Sequence, residues 1–163
     1  MQNIVPIPDG NAAKYFSYRE AWGRIRKAIG CGFYLEAVTL EESIISDRLF
    51  SYLITSGVMK PESKDSKSFG KLIEIWRKQV PEAITDKRYS NLQVEVFLWK
   101  NRRNHLVHGI VKSAPGTAPQ DVLDFRKEAE CAARDGEDIA KSVCNWYRRT
   151  KKKLTGENVD CGT

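Results

Sequence analysis

The residues best suited to chemistry stand together in Trp99–Gly109, which reads Trp-Lys-Asn-Arg-Arg-Asn-His-Leu-Val-His-Gly and holds both histidines of the chain. A guanidinium, a carboxamide and an imidazole this close in sequence can hold a phosphate, orient it and move a proton. Leu92, Val96, Trp99, Arg103 and Leu106 recur at spacings of four, three, four and three, which predicts one stripe of a helix over Tyr89–His108. Four of the five are apolar. The fifth, Arg103, cannot lose its proton, so on a core-facing stripe it needs a carboxylate partner or an opening through which an anion can reach it.

Asn104 and His108 are four apart and therefore neighbours on the helix surface, both to one side of Arg103. Gly109 suits the left-handed position just past a helix, which puts His108 in the last turn. The carbonyl end of the helix favours an imidazolium there and Arg103 disfavours it, so the ring can exchange a proton near neutral pH. His105 points almost opposite Arg103 and reads as a surface or partner-facing residue; His108 is the candidate active imidazole. Arg102 and Lys100 flank the motif and can hold phosphate, although solubility alone also accounts for them. The structural alternative for Arg103 and His108 is a core arginine paired with a carboxylate and a histidine capping carbonyls.

The elements that must position these groups are helical throughout. Residues 1–11, with Pro6, Pro8 and Asp9-Gly10, read as an irregular lead-in, and Ala12–Ile29 as a helix broken by Gly30 and Gly32. Phe33–Thr55 carries two adjoining apolar rows, Ala37, Leu40, Ile44 and Val38, Ile45, Leu49, Tyr52, a width that belongs to a central helix. Glu36, Glu41, Glu42 and Asp47 on it are each able to orient Arg103 or His108 across a bundle, although any one of them alone is more often a solvated face residue. After a polar loop over 56–68 come a short helix, Phe69–Gln79, stopped near Pro81, then the motif helix and a turn-rich connection over 114–119.

The last helix is predicted over Pro119–Arg149, where Val122, Phe125, Ala129, Ala132, Gly136, Ile139, Val143 and Trp146 alternate by three and four. Its small seam residues invite close approach of another helix, and Gly136 costs about 1 kcal/mol relative to alanine, enough to allow a break. Residues 151–163 read as a basic, frayed tail. The expected architecture is an all-α single-domain bundle of about five helices over 12–150, centred on the second, motif and C-terminal helices.

Composition narrows the function classes. Lys plus Arg number 27 against 21 for Asp plus Glu, a net charge of +6 that suits a polyanionic partner. The four cysteines form no CxxC pair and read as reduced thiols rather than a disulfide framework. No Gly-rich phosphate loop or serine-type triad is present, and two histidines without acidic residues at ligand spacing argue against a catalytic metal. No cofactor is implied. No apolar run approaches a membrane span and the start lacks a signal-peptide apolar segment, so a cytoplasmic protein without membrane contact is expected. The basic run Arg148–Lys153 offers non-specific phosphate attraction at most, and the four tryptophans read as core, not being interleaved with basic residues as a strand-binding face requires.

The arrangement Arg103-Asn104-x-x-x-His108, preceded by Trp99 and followed by Gly109 late in the penultimate long helix, resembles the Arg-x4-6-His motif of the HEPN superfamily (higher eukaryote and prokaryote nucleotide-binding). Asparagine after the arginine is the common form, and the resemblance in motif and helix order covers roughly 33–147. It implies a metal-independent endoribonuclease acting on single-stranded or loop RNA, in which the ribose 2′-OH attacks the adjacent phosphate. The products are a 2′,3′-cyclic phosphate and a free 5′-OH. Arg103 would bind the phosphate, Asn104 would position a phosphate oxygen or His108, and His108 would move the proton.

One imidazole cannot conveniently serve both ends of an in-line displacement. Family members pair two motifs across a dimer, so the resemblance implies a two-fold homodimer with a composite site. It also implies a toxin–antitoxin or abortive-infection, anti-phage setting with an antitoxin or defence-system partner protein. One branch of such toxins carries a modifiable tyrosine two residues after the histidine; Ile110 stands there, which speaks against that control. The alternatives are a non-catalytic HEPN-like RNA- or nucleotide-binding module, a protein-interaction subunit, and a plain helical adaptor.

Overall fold

The computed structural model describes residues 10–62, 68–109, 115–116 and 121–156. Five helices follow one another: α1 (Gly10–Cys31), α2 (Tyr34–Thr55), α3 (Phe69–Gln79), α4 (Leu92–Gly109) and α5 (Val122–Thr155). No strand occurs among the described residues, and no described helix is long and apolar enough to cross a membrane. The expectations for 1–9, the middle of the 56–68 loop, most of the 114–119 connection including Pro119, Ile110, Cys161 and the tail from 157 lie outside the described residues.

Helix boundaries follow local hydrogen-bonding chemistry more than apolar periodicity. The α1–α2 turn closes on Gly32 in the left-handed region (φ 78), with Phe33 N donating to Ala28 O (2.8 Å) and Gly32 N to Ile29 O (3.2 Å). This is the paired-bond helix ending that glycine favours, and Gly30 stays inside α1. The motif helix begins at Leu92 and not Tyr89, because the Asn91 carboxamide accepts from Gln93 N (3.1 Å) and Val94 N (3.4 Å) and caps it there. Asp86 binds the backbone N–H groups of Arg88 and Tyr89 (2.8 Å each), which commits those residues to a turn.

Asp121 caps α5 through Leu123 N (2.8 Å) and Asp124 N (3.2 Å). The helix then runs unbroken through Gly136 and on to Thr155, six residues past the predicted end, closing on Gly156 (φ 66). Residues 151–155 of the expected tail are therefore helical. Lys152 and Lys153 lie in the last turn, where cations complement the carbonyl end of the helix.

Helix α2 touches all four other helices and packs most extensively on α5, while α4 rests chiefly on α5. Its two predicted rows are buried but for Leu40, which is half-buried. Trp76 and Trp146 meet edge to face at 5.3 Å and Tyr52 lies 4.8 Å from Trp146, joining α2, α3 and α5. The Trp99 Nε1–H donates to the Ala132 carbonyl (2.8 Å), so a buried ring of α4 is tied to the α5 backbone.

That contact explains Gly136. A Cβ there would lie 2.8 Å from the Trp99 ring and fall onto the Glu41 carboxyl, so α4 and α2 both close onto α5 at a position with no side chain. Helix propensity alone favours alanine by about 1 kcal/mol. Overpacking, typically about 1–3 kcal/mol, opposes it. Gly136→Ala is therefore expected to lower stability in urea denaturation; a rise would mean that the interface relaxes freely.

Candidate functional site

The motif stripe packs as its spacing predicts. Leu92, Val96, Trp99 and Leu106 are buried, and Arg103 lies at the edge of that stripe with its side chain 22% exposed. The arginine has both a partner and an opening. Its Nε edge forms an ion pair with Glu42 of α2, a contact without hydrogen-bond alignment, and its Nη1 donates to the Asn104 carboxamide oxygen (2.8 Å). Of the four acidic residues on α2 able to meet the motif, Glu42 is the one that meets Arg103.

Burial of Glu42 pushes its carboxyl above the usual range, and the Arg103 charge opposes that shift without cancelling it. The guanidinium thus faces a desolvated carboxylate on one edge and an amide on another. Its remaining N–H groups are those able to reach a phosphate.

His108 is exposed in the last turn of α4, one turn beyond Asn104. Among the described residues it makes no hydrogen bond or ion pair. Gly109 is the last residue of α4, not the residue past it, and its φ is not left-handed. Five residues of helix turn His108 about 140° away from Arg103, toward solvent. The structure therefore joins Arg103 to Asn104 and leaves His108 beside them on the outer surface.

The flanking candidates diverge. Arg102 points to α5 and forms an ion pair with Asp135, so its charge is engaged within the fold. Lys100 is half-buried on the α3 side, its Nζ 5.0 Å from the Phe97 ring. His105 is exposed on the outer face. With Val94, Leu98, Asn101 and His108 it forms an exposed stripe at spacings of four, three, four and three.

A second acid beside Glu42 was not legible as special. Glu41 is 0% exposed, neither of its carboxyl oxygens has a hydrogen-bond partner, and it lies against Gly136 and Trp99. Burial, reinforced by the charges of Glu137 and Asp135, pushes it up to about 9. It is therefore neutral at pH 7. Among the described residues no cluster of three or more His, Cys, Asp or Glu forms. Cys31, Cys131 and Cys144 are free thiols.

No protein-family model, curated protein or solved structure matches the chain. Any functional reading accordingly depends on the chemistry of these residues and their placement.

Glu41 generates a pH dependence. Its folded-state value of about 9 exceeds the ordinary 4.5, so its contribution to stability is full below the ordinary value and declines as pH rises toward 9. Glu41→Gln removes the ionisation. The stability of this variant relative to wild type should increase from about pH 5 to about pH 8, by up to roughly 1.4 kcal/mol per unit in chemical denaturation. A difference independent of pH would show that Glu41 is not held protonated.

Proposed function

We propose that this chain is a metal-independent endoribonuclease of HEPN type that cuts single-stranded or loop RNA as a two-fold dimer. The observation that carries the reading is Arg103 itself. A guanidinium is fixed at the rim of the core by Glu42 and Asn104, is still partly open to solvent, and precedes by five residues an exposed imidazole in the last turn of the same helix. Ordering an arginine before its ligand arrives lowers the entropy lost on binding and sets donors where charge develops on the phosphorus.

In this chemistry the 2′-oxygen bonds to the adjacent phosphorus as its proton passes to a base, and the bond to the 5′-oxygen breaks as that oxygen takes a proton from an acid. A cyclic phosphate and a 5′-OH result. Arg103 holds the phosphate and offsets its charge. The Asn104 carboxamide already accepts from Arg103, which leaves its N–H groups to hold a phosphate oxygen or His108. His108 of one chain takes the first proton and His108 of the second chain gives the other.

The outer face of α4 supports the dimer. Val94, Phe97 and Leu98 are exposed on it, and the stripe through Val94 and Leu98 leads to His105 and His108. Packing two such faces about a two-fold axis covers the apolar groups and brings both imidazoles to one seam. Proteins of the resembled family act in toxin–antitoxin and anti-phage systems, and we place this chain in that setting, with a neutralising or defence partner protein.

A second reading, a phosphate-holding module that does not cut, is favoured by the engagement of Arg103 with Glu42, which compensates its charge in the folded chain. Cleavage of a fluorescent RNA in EDTA separates the two. His108→Ala should reduce cutting at least about 100-fold while leaving RNA binding within about threefold. Equal cutting by the variant would remove His108 from the mechanism. Leu98→Glu, at a position 51% exposed, should convert dimer to monomer in sedimentation and abolish cutting with it. A fully active monomer would rule out the shared site.

A further inference from the structure

A concave surface of the fold lies away from the motif. A groove of about 700 Å³ runs between α1 and α5 with Arg48 of α2 also lining it. Its cations are Lys14, Arg19 and Arg26 from α1, Arg48, and Arg148 and Lys151 from α5. Its aromatic residues are Tyr15, Tyr18, Trp22 and Tyr147. None of the described residues lining it is a carboxylate.

The charges are poorly compensated. Asp47, on α2 beside Arg48, is taken up by Lys14 (2.9 Å) and by the Tyr18 hydroxyl (2.6 Å). Burial pushes the Asp47 carboxyl up, but those two hydrogen bonds and the charges of Lys14 and Arg48 outweigh it and hold it below the usual range. Arg19, Arg26, Arg148 and Lys151 form no ion pair among the described residues. Arg48 stacks on the Tyr18 ring at 3.9 Å and lies 5.2 Å from that of Tyr147, and its buried Nε has no hydrogen-bond partner. A guanidinium held against two ring faces with an unsatisfied donor favours an anion close by.

We propose that the α1–α5 groove is a binding site for single-stranded RNA, separate from the Arg103 site, with the backbone phosphates on its arginines and lysines and the bases on its aromatic rings. Lys14 to Arg26 spans about 18 Å of helix, the length of about five nucleotides at stacked spacing. An acidic peptide would satisfy the cations but would offer no planar partner to Tyr15 and Trp22, which Arg48 does not cover. A strand satisfies both, since every base offers a face for stacking and every linkage a charge.

The groove and the motif are on different sides of the bundle. Arg48 follows Glu42 by six residues on α2, which turns the two side chains about 120° apart. The proposal is therefore independent of RNA cutting. The tryptophans are not interleaved with basic residues along the chain, yet Trp22 is only half-buried and joins a surface whose cations come from three helices.

The test is fluorescence anisotropy with a labelled 2′-O-methyl RNA of about twelve nucleotides, which has no 2′-hydroxyl to attack and so reports holding whether or not the protein cuts. Arg19→Gln combined with Arg148→Gln removes two exposed cations. It should weaken binding and make the slope of log affinity against log salt shallower by about 1.4. Tyr15→Ala, at a side chain 64% exposed, should weaken binding at least about fivefold, and Arg134→Gln, at an exposed cation of α5 outside the groove, should change it less than about twofold. An unchanged slope in the double variant would overturn the proposal. So would an Arg134→Gln loss as large as that of the double variant, which would make the effect one of net charge and not of the groove. Displacement by poly-glutamate as readily as by RNA, with no effect of Tyr15→Ala, would assign the groove to an acidic peptide and overturn it as well.

Discussion

The closure of α4 onto α5 at Gly136 is the constraint on which the rest of the molecule depends. The missing side chain lets the Trp99 ring lie flush with α5, and the indole N–H then bonds the Ala132 carbonyl. Together these fix the rotation of α4 about its own axis. Arg103, one turn after Trp99, is thereby carried to the rim of the core, where Glu42 can meet it, and His108 is carried to the outside. A rotation of α4 by a fraction of a turn would bury the arginine without a carboxylate or release it to solvent. The site is a consequence of helix packing more than of any loop.

The same junction contains the fold's least comfortable group. Glu41 reaches into the closure with no hydrogen-bond partner, and its neighbour Glu42 carries the ion pair. Adjacent acids on α2 thus have opposite fates, one neutral inside and one paired at the rim. The difference lies in about 100° of helix rotation. Periodicity in one helix cannot show this, because it depends on which helix lies opposite and how that helix is turned. Four acidic residues on α2 were therefore equivalent candidates in the sequence, while the arginine was already identified by its place on an apolar stripe.

What was legible followed from regular spacing. The order and number of helices, the central role of α2, the small-residue seam of α5 and the exceptional position of Arg103 all derive from periods of three and four. Where the reading fell short, the cause was local or three-dimensional. The Asn91 cap shortens α4 at its start, and the cations of the final turn carry α5 to Thr155. Gly136 looked like a weak point because propensity treats a glycine as lost stability, whereas packing uses it as space. The basic run Arg148–Lys153 marked one wall of the α1–α5 groove, but the groove itself was invisible since its other cations and most of its rings are contributed by helices far apart in sequence.

The distribution of charge brings these observations together. In the middle of α5, Asp135, Glu137 and Asp138 are each met by a cation, from Arg102, Lys141 and Arg88. Those three acidic charges are consequently met within the fold, and the basic C-terminal half of α5 stands beside the basic face of α1 with little to offset it. A modest net charge of +6 is thereby concentrated in one concave surface, where low-dielectric walls strengthen its field. Arg103 is the contrasting case. One guanidinium edge faces Glu42 and one Nη1 proton is given to Asn104, yet three of the five N–H groups of an arginine remain. Compensation of its charge therefore leaves directional capacity behind. The groove attracts through uncompensated charge, whereas the motif offers a fixed set of donors, and the two differ as a long-range field differs from a short-range contact.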